Sequence, residues 1–135
     1  ADCRSESVSL RGDWGQARFT VEVADSLNER AQGLMYRETM PRSAGMLFVY
    51  PTSQKVSFWM RNTLIPLDMI FADETGRVVH VHSNAEPLDE TPISSQYPAR
   101  FVLEINGGLA LAMGIGPGSA LRHPKIDQNL AIWPC

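Results

Sequence analysis

The stretch from residue 58 to residue 68 reads Phe58-Trp59-Met60-Arg61-Asn62-Thr63-Leu64-Ile65-Pro66-Leu67-Asp68. Together with the two residues before it, it gives an alternating pattern over 56–61 that predicts a half-buried strand. Successive side chains of a strand point to opposite faces of the sheet. We therefore expect one face to enter the core, with Val56, Phe58 and Met60, and the other to carry Ser57, Trp59 and Arg61.

The sequence before this stretch predicts two strands with a short helix between them. Apolar and polar residues alternate over 18–23, which is the period of a half-buried strand. Ser26 and Glu29 have the spacing of a capping box, so a helix is predicted from Leu27 to Gln32. The β-rich run 46–50 follows, and we expect the proline after it to end the strand.

The sequence after this stretch predicts a hairpin and several short elements. Residues 67–72 and 77–82 flank a loop that ends at Gly76, a pattern typical of a bulged hairpin. The other predicted elements are a strand over 101–105, a helix over 107–113 with Asn106 as its N-cap, and short strands over 119–122 and 130–133. The chain is thus predicted to be α+β and mainly β, with a curled antiparallel or barrel-like sheet and two short helices.

Composition limits the size and the class of the protein. With 135 residues, of which 44% are hydrophobic, the chain is expected to form a single domain over 1–135. Its net charge of −3 argues against nucleic-acid binding, which requires a basic surface. No apolar run approaches the ~20 residues that span a bilayer, so we expect no membrane span.

The two cysteines, Cys3 and Cys135, lie at opposite ends of the chain. Chain ends often lie close together in compact domains, so a disulfide is one possibility, and it would indicate an oxidising compartment. Two unpaired thiols in a reducing cytoplasm are the other. Because the sequence starts without Met or a leader, as a mature exported protein does, we expect a periplasmic or otherwise exported protein.

Several segments match a known family: Glu29-Arg30-Ala31-Gln32-Gly33-Leu34-Met35-Tyr36-Arg37, Gly45-Met46-Leu47-Phe48, Phe58 to Thr63 with Ile65 to Asp68, and, more weakly, Leu103-Glu104-Ile105-Asn106 with Gly108. On these segments the chain resembles the bacterial and archaeal family named domain of unknown function 192, over roughly 21–121. Arg61 and Gly107 depart from the Lys and Ala that are common in the family. The resemblance implies a β-rich and often exported protein, but no activity.

Charged and aromatic residues in the matching segments suggest a binding surface. An indole beside a guanidinium can stack on a sugar ring and hold a carboxylate or phosphate. We therefore expect a non-catalytic, monomeric binding module without a cofactor, whose ligand is a small anionic or saccharide compound or an envelope protein. The candidate ligand-binding residues are Trp59, Arg61, Asp68, Arg30, Arg37 and Glu104.

The two acidic candidates leave an enzymatic alternative open. Burial would raise the pKa of Glu104 unless an arginine paired with it, and the arginines in the same segments favour pairing and a structural role. Without a partner, Glu104 or Asp68 would be a candidate acid or base of a hydrolase or lyase, with Arg61 stabilising negative charge. If all charges pair internally, the domain is a scaffold without a ligand.

Two residue groups resemble metal ligands. His80 and His82 share one face of a predicted strand, but no third ligand stands at a recognisable spacing, so we expect solvated histidines and no metal. Methionine thioethers can hold Cu(I), but filling gaps in a core is their commoner role. We expect that role for Met35, Met40, Met46, Met60 and Met69.

Overall fold

The computed structural model describes residues 3–135. In this part of the chain, the elements are β1 (Ser7–Gly12), β2 (Gly15–Ala24), α1 (Leu27–Gln32), β3 (Ala44–Gln54), β4 (Ser57–Phe58), β5 (Leu67–Ala72), β6 (Val78–Ala85), β7 (Ile93–Ser94), β8 (Ala99–Asn106), α2 (Leu109–Met113) and β9 (Ala120–Arg122). The predicted fold class is confirmed, because a strongly curled sheet with two short helices makes up the domain.

Seven strands form the main sheet in the order β6-β5-β8-β3-β2-β1-β9, and β4 pairs with β7 separately. All neighbours are antiparallel except β2 and β3, which run parallel because α1 carries the chain across between them. A bridge between Arg77 and Ala120 joins the start of β6 to β9. The two edges of the curled sheet therefore meet at one point, which gives the barrel-like shape.

The predicted helix and the predicted hairpin are both confirmed. The Glu29 amide donates to Ser26 Oγ at 3.2 Å, and the Ser26 amide donates to Glu29 Oε1 at 3.1 Å, which completes the capping box. β5 and β6 form the hairpin, and Gly76 adopts a φ of +84° in its loop. A side chain at Gly76 would also meet the carbonyl oxygen of Leu121, with its Cβ only 3.0 Å away.

The predicted strand over 56–61 is wrong in length, because only Ser57 and Phe58 form β4. The Met60 amide donates to Asp89 O at 2.8 Å, and the Thr63 amide donates to Met60 O at 3.1 Å, so the chain turns instead of continuing along a sheet. The expected alternation of burial nevertheless holds, with Val56 and Met60 buried and Ser57 and Arg61 exposed. The sequence therefore predicted which side chains are buried more accurately than it predicted the length of the strand.

Three further expectations are corrected. Pro51 does not end β3, since it lies where the pairing register shifts between Val49 and Gln54 and no ladder hydrogen bond is required. Asn106 is not the N-cap of α2, because its side-chain amide donates to Met40 O at 2.7 Å and Gly108 takes the cap position. Residues 130–133 form a turn on Asp127, not a strand. β1 was not predicted.

Buried residues form two clusters on opposite faces of the sheet. Along β8, Leu103 and Ile105 belong to the first cluster, whereas Val102 belongs to the second. The second cluster also contains Met46, Met60 and Met69, at 6%, 1% and 0% exposure, which are core positions as expected. Because strand side chains alternate, Glu104 points to the same face as Val102, toward the second cluster.

Cys3 and Cys135 form a disulfide across 132 positions. The two cysteines are therefore bonded to each other in the structure and are not free thiols. The last residues are also held by Trp133, whose ring lies 4.2 Å from the Arg11 guanidinium and 5.5 Å from that of Arg122. Among residues 3–135, no helix combines the length and the apolar character that crossing a bilayer requires.

A candidate ligand-binding cavity

A cavity of about 170 Å³ lies on the second face of the sheet, beneath α1 and the turn after it. We call it the Glu104 cavity, because the Glu104 carboxyl is its buried end. It is lined by Arg30, Ala31, Gln32, Gly33, Leu34, Met35, Phe48, Tyr50, Ser57, Phe58, Trp59, Met60, Thr63, Leu67 and Glu104. Four separate parts of the chain, around residues 30–35, 48–50, 57–67 and 104, therefore build it.

Glu104 is placed in the cavity by the pairing of the central strands. In β8 it stands opposite Met46 of β3 and Met69 of β5, so an acid lies among apolar residues in the middle of the sheet. Its side chain is only 4% exposed and has no ion pair in the described part of the chain. Because no fully buried side-chain oxygen of residues 3–135 lacks a hydrogen bond, the carboxyl oxygens of Glu104 reach the space of the cavity. Burial raises its pKa to about 8. At pH 7 the carboxyl is therefore mostly protonated, and the expected pairing of Glu104 with an arginine is wrong.

Arg30 and Tyr50 supply the other strongly polar groups of the cavity. Arg30 Nη1 donates to Val49 O at 2.9 Å, and the guanidinium carbon lies 5.2 Å from the centre of the Tyr50 ring. Burial, opposed by the charge of Arg30 and reinforced by that of Glu104, raises the pKa of Tyr50 to about 12. Tyr50 is thus a neutral phenol close to the Arg30 guanidinium and the Glu104 carboxyl, and it lines the same cavity.

Aromatic rings form the wall of the cavity and its opening. Phe58 contacts Phe48 and Phe71 edge to face, with ring centres 5.1 Å and 5.9 Å apart, which fixes β4 on the sheet. Trp59, the next residue, is 45% exposed. The Arg61 guanidinium lies 5.4 Å from the Trp59 ring centre, outside the cavity lining. One part of the Trp59 indole therefore lines the cavity, and another part faces solvent.

The loops at the opening hold residues in unusual backbone conformations. Tyr36, Asn62 and Leu88 have φ values of +67°, +55° and +68°, which residues other than glycine seldom adopt. Hydrogen bonds hold them: the Tyr36 amide donates to Asn62 O at 2.8 Å, Asn62 Nδ2 donates to Tyr36 Oη at 2.9 Å, and the Leu88 amide donates to Thr63 O at 3.1 Å. Such strain is typical of functional sites.

The structure brings together Trp59, Arg30 and Glu104 of the six predicted residues, and Arg61 lies beside them on the Trp59 ring. Asp68 and Arg37 lie elsewhere. Arg37 makes a bidentate ion pair with Glu22 on β2, so both groups are already satisfied.

Asp68 has a structural position at the start of α2. It is fully buried and accepts hydrogen bonds from the amides of Asn84 at 2.7 Å, Gly108 at 3.0 Å and Ala110 at 2.7 Å. Two of these amides belong to the first turn of a helix, where N–H groups otherwise lack partners. Asp68 therefore replaces the N-cap that Asn106 was expected to provide, and it does not line the cavity.

Sequence reasoning missed Tyr50, Thr63 and Met35. A signal for Tyr50 existed, because the period of two along β3 puts it on the same face as Met46 and Phe48. In the pairing with β8, however, Met46 stands opposite Glu104, so the pattern gives the shared face but not the approach of Tyr50 to Glu104. Thr63 and Met35 stand in the motif segments, but their place in the cavity lining depends on turns that are positioned by contacts with distant loops.

His80 and His82 lie outside this cavity, on β6. His80 stacks on Phe71 with ring centres 5.8 Å apart, and burial, with a smaller contribution from His82, lowers its pKa. Within residues 3–135, no three His, Cys, Asp or Glu side chains are grouped so that they could hold a metal ion.

The structure defines a class of domain that has a curled, mainly antiparallel sheet and a cavity with a carboxyl at its buried end. The chain belongs to the domain of unknown function 192 (DUF192) family, whose sequence model, described as "Uncharacterized ACR", matches residues 8–123. This match agrees with the resemblance seen in the motif segments.

Two crystal structures resemble this one closely. A protein of unknown function from Novosphingobium aromaticivorans DSM 12444 is 43% identical, with a TM-score of 0.83, over 85% of this chain and 82% of that one. A "putative transcription regulator" from Sinorhizobium meliloti 1021 is 39% identical, with a TM-score of 0.84, over 90% of this chain and 95% of that one. No curated protein matches the sequence significantly.

Proposed function

We propose that this protein is an exported, non-catalytic binding module whose Glu104 cavity takes up a small anionic or saccharide ligand. The observation that supports this proposal is the unpartnered carboxyl of Glu104 at the buried end of a cavity. Among residues 3–135, no fully buried side-chain oxygen or nitrogen lacks a hydrogen bond, so the Glu104 oxygens open onto the cavity, where water or a ligand can bond to them. A ligand with a complementary group would take the place of that water.

The size of the cavity and the aromatic residue at its opening restrict the ligand. A volume of about 170 Å³ is below the ~300–1,000 Å³ of pockets for drug-sized molecules. Trp59 stands at the opening and is 45% exposed, so its ring is available for stacking on a flat or ring-shaped ligand. We infer a ligand no larger than a monosaccharide or a small organic acid.

The disulfide supports the proposal of export. Disulfides persist in oxidising compartments such as the periplasm and are rare in the cytosol. Cell fractionation with thiol labelling tests this: the protein should appear in the periplasmic or external fraction with both cysteines blocked. A cytoplasmic protein with two reactive thiols would contradict it.

The name of the relative in Sinorhizobium meliloti suggests gene regulation, but the charge of this chain argues against that role. The chain has a net charge of −3, whereas proteins that bind DNA gain affinity by neutralising phosphates with a basic surface. A gel-shift experiment with genomic fragments at low salt should show no complex, and a complex that persists in 0.15 M salt would favour the regulatory role.

The binding proposal can be tested with a ligand panel and NMR. Monosaccharides, small carboxylates and phosphate are titrated into ¹⁵N-labelled protein, and we expect saturable shifts confined to residues around 30–35, 48–50, 57–63 and 104. Trp59→Ala should weaken the binding, whereas Trp133→Ala, at a tryptophan outside the cavity, should not. If no compound in the panel produces saturable shifts at these residues, the proposal is wrong.

Acid–base catalysis by Glu104, in a hydrolase or lyase, is the second candidate. It is favoured by the pKa of about 8, since a general acid works best when its pKa is near the working pH. Glu104 is the single carboxyl among the described lining residues, so a mechanism with two carboxyl groups lacks its second member. Incubating each bound compound with the protein and with Glu104→Gln separates the two functions: turnover by the wild type alone would establish catalysis.

A further inference from the structure

Resting on the proposed function, we propose that the ligand of the Glu104 cavity is a small monocarboxylate. Its carboxylate is held by the Arg30 guanidinium, the Tyr50 hydroxyl and the protonated carboxyl of Glu104, so that binding is linked to one proton. Three observations support this inference: the charge of the cavity lining, the hydrogen-bonding groups of the lining, and the lack of an acidic partner for Arg30.

The charge of the lining favours an anion. Arg30 is the single cation and Glu104 the single acid among the described lining residues. The groups that face Glu104 from the elements around it are Arg30 on α1 and Tyr50 on β3, while β5 and the 57–63 segment contribute only uncharged residues. With Glu104 protonated, the cavity thus carries one positive charge, which a monoanion neutralises.

Arg30 differs from the other partly buried arginine near α1 in having no acidic partner. Arg37 is paired with Glu22, whereas no carboxylate lies within 4.0 Å of the Arg30 guanidinium in the described part of the chain. Arg30 uses one N–H on the Val49 carbonyl and has up to four more. These are arranged in a fork that fits the two oxygens of a carboxylate.

The hydrogen-bonding groups of the cavity favour a ligand made of acceptors. The guanidinium can only donate, and the Tyr50 hydroxyl and the protonated Glu104 carboxyl each have one hydrogen to give. An ionised carboxylate is an acceptor only, so it can receive all three. A sugar brings a donor with every hydroxyl oxygen, and the guanidinium, the strongest of these three groups, cannot accept it.

Binding of an anion is expected to depend on pH. A negative charge beside Glu104 disfavours the ionised form of Glu104, so the complex keeps the proton. Below pH 8 the proton is already present in the free protein, and above pH 8 it must be taken up from solution. The dissociation constant should therefore rise about tenfold for each pH unit above 8.

Isothermal titration with sodium acetate tests the inference, in pairs of buffers that differ in ionisation enthalpy. We expect acetate to bind about 30-fold more weakly at pH 9.5 than at pH 6.5, with uptake of about one proton at pH 9.5 and almost none at pH 6.5. Tyr50, with a pKa of about 12, does not titrate in this range. Acetamide, methyl glucoside and inorganic phosphate are the comparison compounds, and each should bind more weakly than acetate.

Variants identify the groups responsible. Glu104→Gln should lose both the pH dependence and the proton uptake, because its amide does not titrate between pH 6.5 and pH 9.5. Arg30→Met should weaken binding at least tenfold, whereas Arg37→Met, the matched control at an arginine outside the cavity, should not. Thermal melting of each variant checks that it is folded, and the pH profile of the wild type tests the inference without any variant.

The outcomes separate this inference from the proposed function. Saturable binding of methyl glucoside or phosphate but not acetate would overturn the monocarboxylate and leave the binding module intact. Failure of all four compounds would count against both. Acetate binding that is independent of pH, or that is lost equally in Arg37→Met, would overturn the assigned site.

Discussion

Replacing Glu104 by Gln should make the protein more stable at neutral pH, by an amount that grows with pH. The rise of the Glu104 pKa from its ordinary 4.5 to about 8 means that the folded protein holds a proton that the unfolded chain has released. Each pKa unit corresponds to about 1.4 kcal/mol, so the full cost of this carboxyl to folding is roughly 5 kcal/mol above pH 8.

The sign of the effect follows from the protons bound. Below pH 4.5 both states are protonated and Glu104 costs nothing through ionisation. Between pH 4.5 and about 8 the folded state binds one more proton than the unfolded state, so stability falls by about 1.4 kcal/mol per pH unit. Above pH 8 the loss is constant. A neutral amide in place of the carboxyl removes this dependence and keeps the shape of the side chain.

Urea denaturation of both proteins at pH 5, 6, 7 and 8, without reductant, measures the effect. The free energy of unfolding of Glu104→Gln minus that of the wild type should increase by roughly 3–4 kcal/mol between pH 5 and pH 8. All other titrating groups are common to the two proteins and cancel in the difference. A difference that does not change with pH would refute the reasoning, because Glu104 would then ionise in the folded protein as it does in water.

Three further predictions concern the disulfide, the buried aspartate and the opening of the cavity. Reducing the bond between Cys3 and Cys135, or replacing both by Ser, should lower the free energy of unfolding by about 4–5 kcal/mol, because the closed loop contains nearly the whole chain; urea titration with and without reductant measures it. Asp68→Ala should destabilise the protein by at least about 3 kcal/mol in the same assay, because one buried and two partly buried amides lose their acceptor, and a loss below 1 kcal/mol would contradict this. Replacing Trp59 and Arg61 together by Ala should weaken ligand binding but leave the melting temperature within a few degrees, since both side chains are largely exposed; unfolding would show that they belong to the core.

Local signals in the sequence were sufficient to predict those parts of the fold that local interactions determine. The capping box of α1 and the loop glycine of the β5–β6 hairpin act within a few residues, and both were predicted at the right positions. The same signals failed where distant groups decide. Residues 59–61 leave the strand because Asp89, far along the chain, accepts the Met60 amide, and no pattern within 56–61 records this.

The candidate site shows the same division. The motif segments indicated Trp59, Arg30 and Glu104, which line one cavity, but also Asp68 and Arg37, which do not. What separates these residues is the set of partners each one finds after folding, and residue type cannot reveal it. The sequence favoured a paired Glu104 because arginines were close in the motifs, yet in the structure Arg37 pairs with Glu22, and Glu104 lines a cavity with Tyr50 and Arg30.

The contrast between the two buried acids is the strongest argument that the Glu104 cavity has a function. Asp68 and Glu104 lie on neighbouring strands of the same sheet, and both are almost completely buried. Asp68 receives three backbone amides, so its replacement would break the start of α2. Glu104 receives none, and an apolar or amide side chain there would increase stability. An acid that weakens the fold, in the same cavity as an arginine without an acidic partner, is expected where a ligand completes both.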